Sequence, residues 1–125
     1  MTDEQTALSR RAVACRGWRW MPGMSYWWVG SQDRVADEER GTLRTDGSLL
    51  PDFSDPATLG CLLHLVRTAW GAPRALVRLS SDGRSLHVFD VDRVNPTGGN
   101  WAAWLSDDRC PSEAEALVFA LESAP

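Results

Sequence analysis

Seven tryptophans and thirteen arginines, with no lysine at all, are the residues of this 125-residue chain whose chemistry stands out. A guanidinium pairs with phosphate through a planar fork and stacks on aromatic faces, which an ammonium does not do. An indole stacks on a nucleobase at about 1–3 kcal/mol per base. Coding bias in a GC-rich genome is the main account of the arginine excess, but the chemical consequence is the same whatever its origin. Trp18, Arg19, Trp20 and Trp27 fall in one aromatic stretch, with Arg16, Arg40 and Arg44 around it. Asn100, Trp101 and Trp104 can approach from a later strand. Trp18, Arg19, Trp20, Trp27, Arg44, Asn100, Trp101 and Trp104 are therefore the ligand-binding candidates: indoles to stack a base, Arg19 and Arg44 to neutralise phosphate, Asn100 to bond a base edge.

The same residues support two other fates. Large rings contribute heavily to a small core, at about 150–250 Å² buried each. Trp, Tyr, Met and Arg are also enriched at protein contacts, and Met21, Met24 and Tyr26 sit beside the tryptophans. Extended chain sends neighbours to opposite faces. If Trp18 and Trp20 pack inward, Arg19 is presented outward; if Arg19 faces a cavity, the two indoles flank its approach. Trp27 and Trp28 must split in either case.

Bond-making chemistry has less to stand on. There is no phosphate-cradling glycine motif and no nucleophile elbow. His64 and His87 lie in different elements. Cys61 and His64, three apart on one helix, make an incomplete metal set directed away from that helix's apolar stripe. Asp90 with Asp92, and Asp107 with Asp108, have the character of solvated loop ends. No catalytic residue, metal or cofactor is assigned, and a small hydrolase using Cys or Asp is the third-ranked alternative.

Hydrophobic residues at 43% and charged residues at 24% describe a globular domain, expected to be single over 1–125. A net charge of −4 leaves no extended basic track for long nucleic acid or an anionic membrane. The N-terminus lacks an apolar signal region, and no apolar run is long enough to span a bilayer. Three cysteines far apart form no disulfide framework and fit a reducing compartment. A cytoplasmic protein is expected.

Capping signals and periodicity place the elements. A first helix is expected over Thr2–Arg16, opened by a Thr2/Gln5 capping box and closed by Gly17. Two short strands should flank Pro22-Gly23, and the polar stretch 30–50 reads as a mobile hairpin or long loop anchored by Val35 and Leu43. Asp55, Pro56 and Gly71 bound a second helix with Leu59, Leu62, Leu63, Val66 and Trp70 as its stripe. Ala75–Asp92 is a hairpin, Trp101–Leu105 a further strand, and Ser112 opens a last helix. Three helices packed on one mainly antiparallel sheet make an α+β layered sandwich.

The segments Arg16-Gly17-Trp18-Arg19-Trp20-Met21-Pro22-Gly23-Met24, Leu50-Pro51-Asp52-Phe53-Ser54-Asp55-Pro56-Ala57-Thr58-Leu59-Gly60 and Ser112-Glu113-Ala114-Glu115-Ala116-Leu117-Val118 look like landmarks of small phage and prophage proteins. The layout is similar to that of the phage ABA-sandwich family, except over Ser31–Ser48, which has no counterpart. The resemblance implies a viral origin. Small phage proteins act against bacterial immunity by sequestering nucleotide signals or by blocking effector proteins. The expected function is thus non-enzymatic capture of a nucleotide-derived immune signal in the host cytoplasm, with a homo-oligomer completing each pocket. Inhibition of a host defence protein is the alternative.

Overall fold

The computed structural model describes residues 2–28, 30–36, 43–79, 83–94, 102–104 and 110–125, with the backbone alone for 91–94 and 102–104. Helix α1 (Asp3–Val13) starts as its spacing predicts: the Thr2 hydroxyl accepts from Gln5 N at 3.1 Å, and Gln5 Oε1 accepts from Thr2 N at 2.8 Å. It stops at Val13 rather than Arg16, and Gly17 is not its left-handed cap. A Cβ on Gly17 would stand 3.1 Å from Leu121 Cδ1 and 3.4 Å from Ala69 Cβ, so this glycine lets the turn approach two other helices closely.

Pro22-Gly23 does form a turn, closed by Met24 N donating to Met21 O at 3.1 Å. Only the arm after it becomes a strand, β1 (Ser25–Trp28). The arm carrying Trp18 and Trp20 joins no sheet among the described residues, which corrects the expected strand pair. β1 pairs antiparallel with β2 (Ser31–Arg34) on one side and with β3 (Leu50–Pro51) on the other. The stretch 30–50 thus supplies one whole strand and the first residue of another, and Val35 and Leu49 are buried in the core. The residues Asp37-Glu38-Glu39-Arg40-Gly41, which have the composition of a turn, lie outside the described residues.

Helix α2 (Pro56–Trp70) is bounded as expected, by Asp55 at the N-cap and by Gly71, whose φ of 61° is left-handed and costs glycine nothing. Leu62, Leu65 and Val66 are fully buried, each worth about 1.5–3 kcal/mol. Leu65 and Thr58 belong to the inner face although neither was placed on the stripe. Strands β4 (Leu76–Leu79), β5 (Leu86–Val94) and β6 (Ala102–Trp104) form a second antiparallel sheet in the order β4-β5-β6. Of the turn that Ser80-Ser81-Asp82-Gly83 spells between β4 and β5 only Gly83 is described, and the Pro/Gly-containing stretch Asn95–Asn100 lies outside the described residues.

Helix α3 (Glu113–Glu122) opens at Ser112, whose Oγ accepts from Glu115 N at 3.2 Å. It buries Ala116, Leu117, Val118, Ala120 and Leu121, and touches α1, α2, β4 and β5. Trp70 Nε1 donates to Ala120 O at 2.7 Å and ties α2 to it. The protein is α+β, with three helices and two small antiparallel sheets. Two sheets replace the single one expected because each is a local antiparallel unit, and no described strand pairing joins them. Among the described residues no helix is long and apolar enough to cross a membrane.

The hairpin β1–β2 is fastened to the start of α2 by one polar network. Arg34 donates to both carboxylate oxygens of Asp55, at 3.0 and 3.2 Å, while Asp55 also accepts from Thr58 N and Oγ1. The Arg34 guanidinium first, and the Thr58 hydroxyl second, hold the Asp55 carboxyl below its ordinary range. A carboxylate whose folded pKa is depressed contributes stability that is present above its unfolded pKa, near 3.9, and lost as pH falls through the folded value. Acid titration below about pH 4 should therefore loosen this corner. In Asp55→Asn the acid limb of a denaturation curve should flatten; an unchanged limb would show that the clasp adds nothing. At neutral pH, loss of the N-cap in Asp55→Ala should cost about 1–2 kcal/mol.

Candidate functional site

Trp18 and Trp20 are core residues, 7% and 3% exposed, and Arg19 between them points to solvent. Of the two arrangements open to this triplet, the inward one is found. Four rings follow one another edge to face: Phe53 and Trp18 at 6.3 Å, Trp18 and Trp20 at 5.2 Å, Trp20 and Tyr26 at 5.7 Å. Both buried indoles are partition rather than pocket wall, and neither can stack a guest. This corrects their assignment as ligand residues. The physical reason is area: two adjacent rings gain more by burial against each other than by facing water. Trp20 Nε1 donates to Arg44 O at 2.9 Å, so the core holds the backbone that carries Arg44.

At either end of this partition lies a recess, and β1 sends one tryptophan into each. Tyr26 and Trp28 share a face of the strand, and Trp27 occupies the other. On the first side, Tyr26, Trp28, Leu43, Arg44, Ser48 and Leu49 line a recess of about 310 Å³. Trp28 is 56% exposed, and among the described residues the Arg44 guanidinium has no ion-pair partner. Ser48 donates to Asp46 Oδ1 from its hydroxyl at 2.6 Å and from its N–H at 2.9 Å, keeping Oγ lone pairs free to accept. These bonds hold the Asp46 carboxyl below its usual range, with the nearby charge of Arg44 adding to the effect.

On the second side, a cavity of about 290 Å³ is walled by Leu8 and Ser9 of α1, Trp27, the turn Asp52–Ser54, and Ser112 and Ala114 at the start of α3, with Gln5 at its edge. Its lining is mainly apolar, and none of the described residues lining it is basic. Asp52 Oδ1 accepts from Ser54 N at 3.1 Å, Asp52 Oδ2 accepts from Gln32, and Ser9 Oγ donates to Pro51 O at 2.8 Å, so the polar wall is held in place. The indole N–H of Trp27 is buried and finds no acceptor among the described residues, as is that of Trp18.

Comparison with known proteins returned no matching family model, curated relative or solved structure.

Of the candidates named from sequence, Arg44 lies in the first recess and Trp27 in the second. Arg19 lines neither. Asn100 and Trp101 lie outside the described residues, as do the side chain of Trp104 and Arg40, Asp107 and Asp108; of Asp92 only the backbone is described. Trp28, Tyr26 and Ser48 were not among the candidates. Strand alternation already separates Trp27 from Trp28, but sequence does not say which of the two faces carries arginine.

The remaining reactive groups are scattered. Cys61 is half-buried with Sγ against Pro22 O, His64 is exposed, and among the described residues no three metal-ligating side chains gather. Burial pushes the Cys15 thiol up to about 11 and raises Cys61 as well, which disfavours the nucleophilic thiolate at either position. Ser85 Oγ and His87 Nε2 are 2.8 Å apart, with both residues buried.

Proposed function

We propose that the protein captures a small nucleotide-derived molecule, without breaking a bond, in the recess between Trp28 and Arg44. One observation carries the proposal: a half-exposed indole and a guanidinium without an ion-pair partner among the described residues share a single concavity. The ring would stack on a base and the fork would engage phosphate. Tyr26 closes the inner end, and Ser48 offers a hydroxyl to a sugar or base edge. A recess of about 310 Å³ stands at the small end of ligand pockets. One arginine near the carboxylate of Asp46 offers little net positive charge. Both features favour a mononucleotide-sized guest with one negative charge over a polyphosphate. A second copy of the chain would deepen the recess.

In the setting that the resemblance to small phage proteins implies, such capture would withhold an immune signal from a bacterial effector. It asks only for affinity and copy number. The raised thiol pKa values of Cys15 and Cys61 accord with a binding rather than a hydrolytic role.

Thermal unfolding against a panel of nucleosides, cyclic and linear mononucleotides and nucleoside triphosphates tests this. A true ligand at a hundredfold excess over its Kd should add about 2.7 kcal/mol, a rise of several degrees in a chain of this size. Trp28→Ala and Arg44→Ala should each weaken binding about ten- to a hundredfold. Arg19→Ala should leave both the melt and the ligand shift unchanged, because that side chain is exposed and outside the recess. A panel without any shift would sink the proposal and favour the protein-contact alternative, for which an exposed Trp28 is equally suited.

A further inference from the structure

The cavity beneath Trp27 has the opposite character to the recess beside Trp28, and we infer that it is a second binding site, for a small organic cation: a primary ammonium on an apolar body. The inference does not rest on nucleotide capture at the first recess. Leu8, Trp27, Phe53 and Ala114 supply apolar wall, and Asp52 supplies the charge. The Asp52 carboxylate accepts from Ser54 and Gln32, which fixes its orientation and leaves lone-pair capacity for one more donor. The Trp27 ring lies in the same wall, and an indole face attracts an ammonium.

The electrostatics select the sign of the guest. Helix α3 begins at this cavity and α1 lines it with Gln5, Leu8 and Ser9, and helix N-termini alone would favour an anion. Those half-charges are countered by Asp3 and Glu4 in the first turn of α1 and by Glu113 and Glu115 in the first turn of α3. Asp52 adds a full negative charge inside, and no described lining residue is basic. Arg34 lies close enough to interact with Asp52 but is paired with Asp55, so the guest site stays net negative, with the hydrocarbon of Leu8, Phe53 and Ala114 beside its polar wall. The volume of about 290 Å³ suits a single aromatic or short alkyl body with its charged end at Asp52.

Three isosteres read the charge directly: phenethylammonium, phenethyl alcohol and phenylacetate, titrated calorimetrically into the full chain at neutral pH. The ammonium should bind saturably, and at least tenfold more tightly than the alcohol, while the carboxylate should not bind. Asp52→Asn should reduce ammonium affinity at least tenfold and bring it level with the alcohol. Ala114→Leu, which occupies the cavity without altering charge, should abolish binding of both, and it decides the matter if Asp52→Asn does not fold. Equal binding of all three isosteres, no binding of the ammonium at millimolar concentration, or binding indifferent to Ala114→Leu would each overturn the inference. The Trp28→Ala variant, with the second cavity intact, should bind the ammonium as the parent does, which separates this site from the nucleotide recess.

Discussion

Replacing Trp20 by alanine is expected to lower stability by about 3–5 kcal/mol, the range for a buried large aromatic, and to weaken the proposed binding at the Trp28–Arg44 recess about ten- to a hundredfold as well. Trp20 stands in the middle of the ring series, edge to face with Trp18 at 5.2 Å and with Tyr26 at 5.7 Å. Its removal takes away both contacts and leaves a void that the flanking rings can close only in part. Its Nε1 also donates to Arg44 O, so the same substitution unfastens the segment that presents the guanidinium. Trp20→Phe separates the two roles. Most of the buried area stays, so about 1–2 kcal/mol should be lost, while the tether to Arg44 is gone and ligand affinity should still fall. Urea unfolding with paired ligand titrations would measure both. A loss below about 1 kcal/mol in the alanine variant would mean that the rings are not the centre of the core.

Thr58→Val should be strongly damaging for an isosteric change, at about 2–4 kcal/mol. Thr58 is fully buried, and its hydroxyl oxygen accepts from Ser25 N at 2.8 Å while donating to Asp55 Oδ2 at 2.8 Å. Valine keeps the shape and strands a buried N–H, for about 1–3 kcal/mol, and it also deletes a bond to a carboxylate. Because Ser25 begins β1, the strand that carries Trp27 and Trp28 should come loose from α2. Thr58→Ser, which keeps the hydroxyl and loses one methyl, should cost only about 1 kcal/mol. The Ser25 amide should exchange with solvent markedly faster in the valine variant alone. Equal stability of the valine and serine variants would show that packing, and not the hydrogen-bond relay, fastens the hairpin.

Much of the fold is legible in short-range chemistry. Thr2 with Gln5, Asp55 with Pro56 and Gly71, and Ser112 with Glu115 mark helix ends because capping is satisfied within a few residues of chain. The hairpin of β4 and β5 follows from local alternation about a turn. Local signals mislead where a distant partner decides. Gly17 has the look of a helix cap, yet its role is set by Leu121 and Ala69. The arm Trp18–Trp20 has the alternation of a strand but finds a core on one side and no neighbour to pair with among the described strands. The short β3 could not be foreseen, because it exists only through its pairing with Tyr26 and Trp27.

From its residues alone the chain specifies an α+β domain, the positions of its three helices, and the rule that adjacent tryptophans must part. Whether a given indole becomes core or wall is decided only in three dimensions. Trp18 and Trp20 are chemically identical to Trp27 and Trp28, but the first pair meets Phe53 and Tyr26 across the interior while the second pair straddles a strand between two recesses. The sign of each recess is likewise a tertiary matter, since Arg44 and Asp52 reach their tryptophans from other parts of the chain. Burial and charge are sums over neighbours distant in sequence, and no local pattern contains them.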